Sequence, residues 1–375
     1  MSLSRLFALL LVSASLSVHK QQKENDDYLR EELRQHQYDL ATKGKSFLEN
    51  EARGVSFFLL GELHGENEIP DLLHALWPQM WHDGYRYLAA ELSPWAADQL
   101  ELAPAKAHPK LMTLWTKPEA EFIHSLGATE PVLWGCDMDE AQPHLLIREL
   151  AAANPNNPTF ARMLKLTESA YDRRMAPELL GLLRQPNNLH DRTVNDISLL
   201  ENIRSTLGIE QQRLNPDQKL SASQQRESLM KTLFLEHYEK HFITHPDAKV
   251  MLRFGRNHLH RGYDARGVST LGNFVAEFAV SRHKSVFNVA AFGAGGKASL
   301  AGETWDADER GDDLAFSFLA SVAQTPATVF DLRPLRTILH RIPEERRSPL
   351  EQRLVYWADS YDAIICYKNV TPRAP

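Results

Sequence analysis

Several ionisable side chains of this sequence directly follow apolar segments, in combinations that could support acid–base chemistry or bind a metal. They are Glu62 and His64, then Glu91, then Asp137 and Asp139, and finally Asn257, His258 and His260. A carboxylate beside an imidazole raises the pKa of the histidine and fixes its tautomer, which suits a general base. Histidine nitrogen and carboxylate oxygen are also ligands for a divalent metal.

The apolar segments that precede these side chains have the pattern of buried strands. Residues 55–60 form a short, mostly apolar run with a glycine on each side, which is typical of a strand in the core of a sheet. Comparable runs occupy residues 85–92, 131–139, 249–255, 285–292, 328–332 and 361–367. Helical patterns alternate with them, as at residues 271–280. We therefore predict an α/β fold with a mostly parallel central sheet flanked by helices.

In a parallel sheet the polar side chains at the strand ends would meet at one edge. Ligands bind at this edge in open α/β sheets, so we expect a functional site there. Each group also has a purely structural interpretation. Glu62 and His64 could cap the helix that begins near Pro70, and Glu91 could pair with Arg86 or Arg253.

Two further groups have structural interpretations of the same kind. Asp137 and Asp139 could be turn or N-cap residues before a helix that begins near residue 141. His237 and His241 lie four residues apart on a predicted helix, and we expect them on a solvated face.

The chain divides into segments of different composition. Residues 1–18 have a short basic start, an apolar run and then small residues, which is the pattern of a secretory signal peptide. Residues 19–50 are polar and predict a linker and a surface helix, and residues 51–375 form the α/β domain. Within this domain, residues 141–246 have helical spacing and breaks at Asn-Pro pairs, which predicts a helical insert.

Bulk properties limit the classes of partner. The chain has 375 residues and a formal net charge of −7, which argues against a nucleic-acid-binding protein. Beyond the N-terminus no apolar run is long enough for an integral membrane segment. The expected location is periplasmic or secreted, or cytoplasmic if residues 1–18 are not a signal peptide. Cys136 and Cys366 could form one disulfide, but their apolar surroundings favour buried small side chains.

The order of the motifs resembles the erythromycin esterase-like family. The matching segments are Gly61-Glu62-Leu63-His64-Gly65, the strand that ends at Glu91, Trp134-Gly135-Cys136-Asp137, and Phe254-Gly255-Arg256-Asn257-His258-Leu259-His260. His190-Asp191-Arg192 and Tyr361-Asp362-Ala363 resemble further segments of that family. The wider superfamily includes ChaN-like haem-uptake proteins and Tiki/TraB proteases.

The resemblance implies a helical lobe, a deep cleft at the strand ends and a hydrolase that opens an ester or amide with an activated water. His64 would be the base, Glu62 and Glu91 its polarising carboxylates, and His258 or His260 a second imidazole. The substrate would be a small molecule or a peptide. Residues expected to bind it or its oxyanion are Arg256, Asn257 and Asp137.

Two alternatives follow from how the motifs are spaced. Glu62 and His64 are two residues apart, whereas the esterases place these residues three apart, and the shorter spacing is nearer to the haem-uptake and Tiki branches. Arg256 also stands where the esterases have a histidine. One alternative is a metal-dependent protease in which His64, Glu62 and His258 hold a divalent metal whose bound water is the nucleophile. The other is a protein that binds haem or iron.

Overall fold

The computed structural model describes residues 22, 24–102, 117–126, 132–139, 143–168, 171–184, 194–300 and 302–373. The predicted signal peptide, residues 1–18, and the segment His190-Asp191-Arg192 lie outside these residues. The chain divides into two compact units. Unit 1 comprises Met1–Leu48, Val289–Gly296 and Asp306–Val370, and unit 2 comprises Glu49–Asn288, Lys297–Trp305 and Thr371–Pro375.

The fold is of the α/β class, with a nine-stranded, mostly parallel sheet and flanking helices, which confirms the predicted fold class. The strands are β1 Gln37–Asp39, β2 Phe57–Glu62, β3 Tyr85–Ala90, β4 Leu133–Gly135, β5 Lys249–Gly255, β6 Val286–Leu300, β7 Glu303–Asp308, β8 Ala327–Asp331 and β9 Ala363–Tyr367. The helices of the first half are α1 (residues 24–35), α2 Lys45–Gly54, α3 Glu68–His82, α4 Pro94–Leu102, α5 Lys117–Leu126, α6 Pro143–Ala153, α7 Pro158–Leu166 and α8 Ala176–Leu183. Those of the second half are α9 Val194–Arg213, α10 Lys219–Phe242, α11 Leu271–Ser281, α12 Leu314–Val322, α13 Arg333–Leu339 and α14 Pro349–Ser360.

In unit 2, four strands lie side by side in the order β2, β5, β3, β4, and every neighbouring pair is parallel. Glu62 at the end of β2 is level with Gly255 at the end of β5, and Ala90 at the end of β3 is level with Gly135. The four strands therefore end together, so the residues that follow them share one edge of the sheet.

The strands of unit 2 are nearly continuous apolar runs because both of their faces are covered. All six residues of β2 are buried, and so are six of the seven residues of β5. Strands covered by helices on both sides have this composition. Helix α3 buries Leu72, Leu73, Leu76, Trp77 and Met80, the face that its sequence spacing indicates.

The helical stretch predicted for residues 141–246 contains helices α6 to α10 in unit 2. Leu150, Phe160, Leu183 and Ile203 belong to one buried cluster that joins helices α6, α7, α8 and α9. Across the described part of the chain, no helix is both long and apolar enough to span a membrane.

Unit 1 contains strands in both orientations. Strand β9 pairs in parallel with β6 and antiparallel with β8, while β1 pairs antiparallel with β8. Within the segment predicted as linker and surface helix, α1 buries Leu29 and Leu33, and β1 is a strand of the sheet. Both cysteines, Cys136 in unit 2 and Cys366 in unit 1, are free and buried.

Strand β6 is longer than the predicted run of residues 285–292, because it continues through the glycine-rich segment Gly293–Gly296. These glycines allow another backbone to approach closely. A Cβ on Gly296, whose φ is +91°, would lie 2.1 Å from the carbonyl oxygen of Val370, and Val370 N–H donates to the carbonyl oxygen of Gly295. The segment therefore packs against a neighbouring chain segment.

Candidate active site

The imidazole of His64 lies between two carboxylates at the strand-end edge of unit 2. Its Nδ1 is 2.9 Å from Oε1 of Glu62, and its Nε2 is 3.7 Å from Oε2 of Glu91. Glu62 is the last residue of β2, and Glu91 directly follows β3. Both carboxylates are buried, whereas the His64 side chain is 31% exposed. His64 is therefore the member of this group that a substrate can reach.

The turn after His64 depends on glycine. Gly65 has a φ of +90°, and a Cβ there would lie 2.9 Å from both the carbonyl oxygen of Ser299 and the Trp305 ring. An L side chain is disfavoured at this φ and has no room here. The turn brings the chain into α3 and leaves His64 at the edge.

Glu62 is fixed by a fully buried arginine. Arg253 of β5 donates to Glu62 through Nε and to Glu119 through NH1. Burial by itself raises the pKa of Glu62, but the Arg253 charge and the hydrogen bond from His64 outweigh it and lower this pKa to about 2. Glu62 is therefore a carboxylate throughout the physiological range and accepts a hydrogen bond from the N–H at His64 Nδ1.

Glu91 is held by a second set of donors. It accepts from the backbone N–H of Gly255 at 2.6 Å and from Nη2 of Arg226 at 2.9 Å. It also lies 3.4 Å from Nε2 of His258. Arg226 also donates to both oxygens of Asp137. Burial raises the pKa of Glu91, but the charge of His258 and the other cations nearby lower it well below its ordinary value.

His258 is a buried cation rather than an available base. It ends the single 3-10 turn Arg256–His258 after β5, with Nδ1 2.5 Å from Glu227 and Nε2 facing Glu91. Burial alone lowers the pKa of His258, but the two carboxylates outweigh it and raise the pKa to about 9. At neutral pH both ring nitrogens carry protons and point to carboxylates.

His64 is also shifted towards the charged form. Burial lowers its pKa, but the hydrogen bond to Glu62 and the charge of Glu91 together raise it above 6.5. His64 is a stronger base than an ordinary histidine. Its exposure and its position distinguish it from His258.

The other predicted site residues lie at the same strand ends. Arg256 is half-buried and Asn257 is exposed in the turn that carries His258. His260 is buried, with Nδ1 2.9 Å from the carbonyl oxygen of Arg261. The structure thus brings together Glu62, His64, Glu91, Asp137 and His258 in one network.

Of the structural interpretations of the sequence, the pairing of a buried Glu91 with an arginine is confirmed, and the solvated face for His237 and His241 is wrong. The arginine partner of Glu91 is Arg226, because Arg253 bonds to Glu62 and Glu119 while Arg86 donates to backbone carbonyls. Asp139 accepts from the Ser93 hydroxyl, and residues 140–142, which precede the next helix, lie outside the described residues. His237 and His241 stack on the ring of Trp134, and burial lowers the pKa of His237 to about 4.

Sequence reasoning missed the residues that hold the network together: Arg226, Glu227, Arg253 in its actual role, and Glu119. Arg226 could have been found. It lies in a stripe of α10 whose members are four residues apart and otherwise apolar, namely Ala222, Met230, Phe234 and Tyr238. An arginine in a buried stripe needs an acidic partner, and the strand ends supply it.

Glu66 is a further buried carboxyl group beside this network. Its residue is 1% exposed, and neither side-chain oxygen has a hydrogen-bond partner in another described residue. Burial and the neighbouring charge of Glu62 raise its pKa to about 8. Glu66 is therefore a neutral acid at pH 7.

The predicted metal ligands His64, Glu62 and His258 do not fit a metal centre. No group of three histidine, cysteine, aspartate or glutamate side chains in the described ranges has an arrangement that could hold an ion. Both nitrogens of His258 face carboxylates, and Glu62 is bound to Arg253. A metal ligand must offer a lone pair, and these atoms are already engaged.

Comparison with known proteins rests on the fold. No protein-family model and no curated protein matches the sequence. A structure described as a histidine-to-asparagine mutant of the erythromycin esterase EreC, in its open conformation, is 14% identical, with a TM-score of 0.60 over 90% of this chain and 95% of that one.

Two other solved structures are similar. A protein from Bacillus cereus is 13% identical with a TM-score of 0.56, and a succinoglycan biosynthesis protein is 12% identical with a TM-score of 0.57. Each comparison covers 92% of this chain and 98% of the other. The predicted resemblance is thus confirmed at the level of the fold: this chain has an erythromycin esterase-like fold.

Proposed function

We propose that this protein is a hydrolase of ester or amide bonds in which His64 activates water. The observation that carries the proposal is the position of the His64 imidazole, which is held between Glu62 and Glu91 and is still 31% exposed. A histidine oriented by a carboxylate and open to substrate has the geometry of a general base.

The two carboxylates have different roles in this proposal. Glu62 accepts a hydrogen bond from the N–H at Nδ1 of His64, with 2.9 Å between Nδ1 and Oε1. The proton of the neutral ring is then on Nδ1, which leaves the lone pair of Nε2 available. The 3.7 Å separation between Nε2 and Glu91 is longer than a direct hydrogen bond, and a water beside both groups would donate one proton to each. Its oxygen would then face the substrate.

The reaction follows from these positions. His64 Nε2 takes a proton from water as the water oxygen attacks the carbonyl carbon, and the carbonyl π electrons move to the oxygen. In this proposal the guanidinium of Arg256, in the turn after β5, supplies positive charge for the resulting oxyanion, while both N–H groups of His258 stay engaged by Glu227 and Glu91. As the oxyanion collapses, His64 returns its proton to the departing alcohol or amine, and Glu62 stabilises the imidazolium between the two steps.

The first experiment compares turnover of aryl esters and macrolide lactones by the wild type and His64→Ala. We expect kcat/KM to fall by about 10²- to 10⁴-fold, the usual contribution of a general base. His82→Ala, which removes an exposed histidine at the end of α3, is the matched control and is expected to retain wild-type turnover. Undiminished turnover in a folded His64→Ala protein would overturn the proposal.

A chelator separates this mechanism from the metal-dependent alternative. Because the lone pairs of His258 and Glu62 are engaged by protein partners, we expect dialysis against a chelator to leave kcat/KM unchanged. Loss of turnover after dialysis, restored by one added divalent ion, would show that a metal takes part.

A further inference from the structure

A cavity in unit 2 has a wall that is mainly cationic. It measures about 450 Å³ and is lined by Arg173, Arg213, Lys219, Leu220, Ser223 and Arg266. This volume lies in the range of small-molecule sites. The cavity does not include His64, so its lining is separate from the site described above.

The cavity wall carries more positive than negative charge. Arg173 and Arg213 both bond to a single carboxylate, the buried Glu210. Arg266 bonds to Asp264 at 2.6 Å. Arg266 also lies 3.7 Å from Glu227. Lys219 adds a fourth cation, so four of the six lining residues are cationic and none is acidic. This excess is notable in a chain whose formal net charge is −7.

The geometry of the donors suits an anion. Lys219 and Ser223 lie in the first turns of the 24-residue helix α10, whose N-terminal end carries partial positive charge. Guanidinium groups offer paired N–H donors that match the oxygens of carboxylate, sulfate and phosphate groups. The side chains of Arg173 and Arg266 are 47% and 43% exposed, so a ligand can reach them.

We propose that this cavity is an anion-binding site for a phosphate, sulfate or carboxylate group. Two sources of such a group are compatible with the chemistry, namely the hydrolysed substrate itself or a free anion. The binding claim does not depend on the proposed hydrolase activity.

A chain of contacts joins the cavity to the candidate active site. Arg266 NH2 is 3.7 Å from Oε1 of Glu227, which binds His258, and His258 faces Glu91. Glu227 also lies one helical turn beyond Ser223 on α10. An anionic substituent bound in the cavity would therefore lie close to the network that surrounds His64, which favours the substrate as its source.

The test measures binding of inorganic phosphate by calorimetry at constant ionic strength. We expect saturable binding by the wild type and at least a 10-fold weaker affinity in Lys219→Glu and in Arg173→Gln. Lys240→Glu, at the other end of α10, changes the net charge by the same amount as Lys219→Glu but lies outside the cavity. We expect it to keep wild-type affinity. Equal affinity in all variants, or no saturable binding up to about 10 mM phosphate, would overturn the proposal.

A second arm identifies the source of the anion. It compares hydrolysis of two matched esters, one neutral and one carrying a carboxylate. If the group belongs to the substrate, Lys219→Glu raises KM for the anionic ester about 10-fold, leaves the neutral ester unchanged, and phosphate competes with the anionic ester. If a free anion is the ligand, phosphate binds without competing. A protein without hydrolase activity still answers the binding test, so the two proposals fail separately.

Discussion

The two histidines of the network differ because their partners differ. His64 has one carboxylate at hydrogen-bond distance and a second 3.7 Å away, and it reaches solvent. His258 is buried between Glu227 and Glu91, which raise its pKa to about 9 against the effect of burial. At neutral pH His258 is therefore a fixed positive charge, and in the proposed mechanism His64 is the residue that exchanges a proton.

The pH dependence of turnover reports the protonation of His64. Only its neutral form can accept a proton from water, and its pKa lies above 6.5 because Glu62 and Glu91 favour the charged form. We expect kcat/KM to rise with pH through an apparent pKa above 6.5. Glu62→Gln removes one carboxylate, so the rise should move to lower pH and the plateau should fall by roughly 10-fold or more.

This prediction is checked by pH–rate profiles of the two proteins between pH 5 and about 9. A rising limb at the same pH in Glu62→Gln as in the wild type would show that another group controls the rate.

Glu66 links stability to pH. Its pKa rises from 4.5 to about 8 on folding, so the unfolded chain ionises first and the folded protein loses stability as pH rises between these values. Glu66→Gln removes this loss. We expect the free energy of unfolding of the variant, relative to that of the wild type, to increase from pH 5 to pH 8 by on the order of a few kcal/mol.

Urea unfolding at both pH values measures the effect. Glu236→Gln makes the same substitution at an exposed position of α10, and its stability should follow that of the wild type. A constant difference between Glu66→Gln and the wild type at the two pH values would contradict the assignment of a neutral Glu66.

The sequence indicated the strand-end members of the site but not the residues from helices that hold them. Glu62, His64, Glu91 and Asp137 could be found because each directly follows an apolar strand. Arg226 comes from a helix 89 residues beyond Asp137, and no spacing in the sequence connects them. Such a pairing depends on how α10 packs against the strand ends, which only the assembled fold determines.

Strand β5 ends at Gly255, and the lack of a side chain there leaves room for the site. A Cβ on Gly255 would lie 2.9 Å from Nε2 of His64 and 3.2 Å from Oε2 of Glu91. The backbone there, with φ −50° and ψ 133°, suits alanine. We expect Gly255→Ala to displace the imidazole and to lower kcat by about 10- to 100-fold, with little change in melting temperature.

The matched control for this variant is Gly181→Ala. Gly181 lies in α8, where a Cβ would meet no atom within 4 Å, and alanine there should keep wild-type turnover and raise stability slightly. Wild-type kcat in Gly255→Ala would show that His64 does not need its present position.

Strands with an apolar run could be predicted from the sequence, even the three-residue β4, whereas strands without such a run and the antiparallel pairings could not. All six residues of β2 are buried, which produces a run that periodicity detects. Strand β1 is only Gln37–Asp39 and has no such run. It is a strand because its backbone pairs with β8. That pairing and the β8–β9 pairing are antiparallel, and a strand's composition does not reveal its direction.

At the scale of the molecule, unit 2 assembles its site from distant parts of the chain. Residues 371–373 belong to this unit and lie against the loop that follows His64. Arg373 N–H donates to the carbonyl oxygen of Gly65 at 2.9 Å, and Asn67 N–H donates to the carbonyl oxygen of Thr371 at 3.1 Å. The N–H of Thr371 in turn donates to Glu68 at 2.9 Å. These bonds fix both ends of the segment between Gly65 and α3.

Electrostatics point to the same role for this segment. The Arg373 guanidinium is 3.8 Å from Glu119, and its charge lowers the pKa of both Glu62 and Glu66, against burial, which raises both. Without Arg373 the Glu62–Arg253–Glu119 group loses a cation and the His64 loop loses its backbone partners. The segment thus supports the loop that carries His64, the base of the proposed mechanism.

We therefore expect a protein that ends at Val370 to lose about 10-fold or more in kcat, because His64 would no longer be held at its distance from Glu91. A protein that ends at Arg373 retains these hydrogen bonds and should match the full chain. Steady-state kinetics on one ester substrate, with limited proteolysis at residues 64–68, measures both the rate and the loosening of the loop. Equal kcat in the two shortened proteins would show that the strand end and Gly65 alone hold His64 in place.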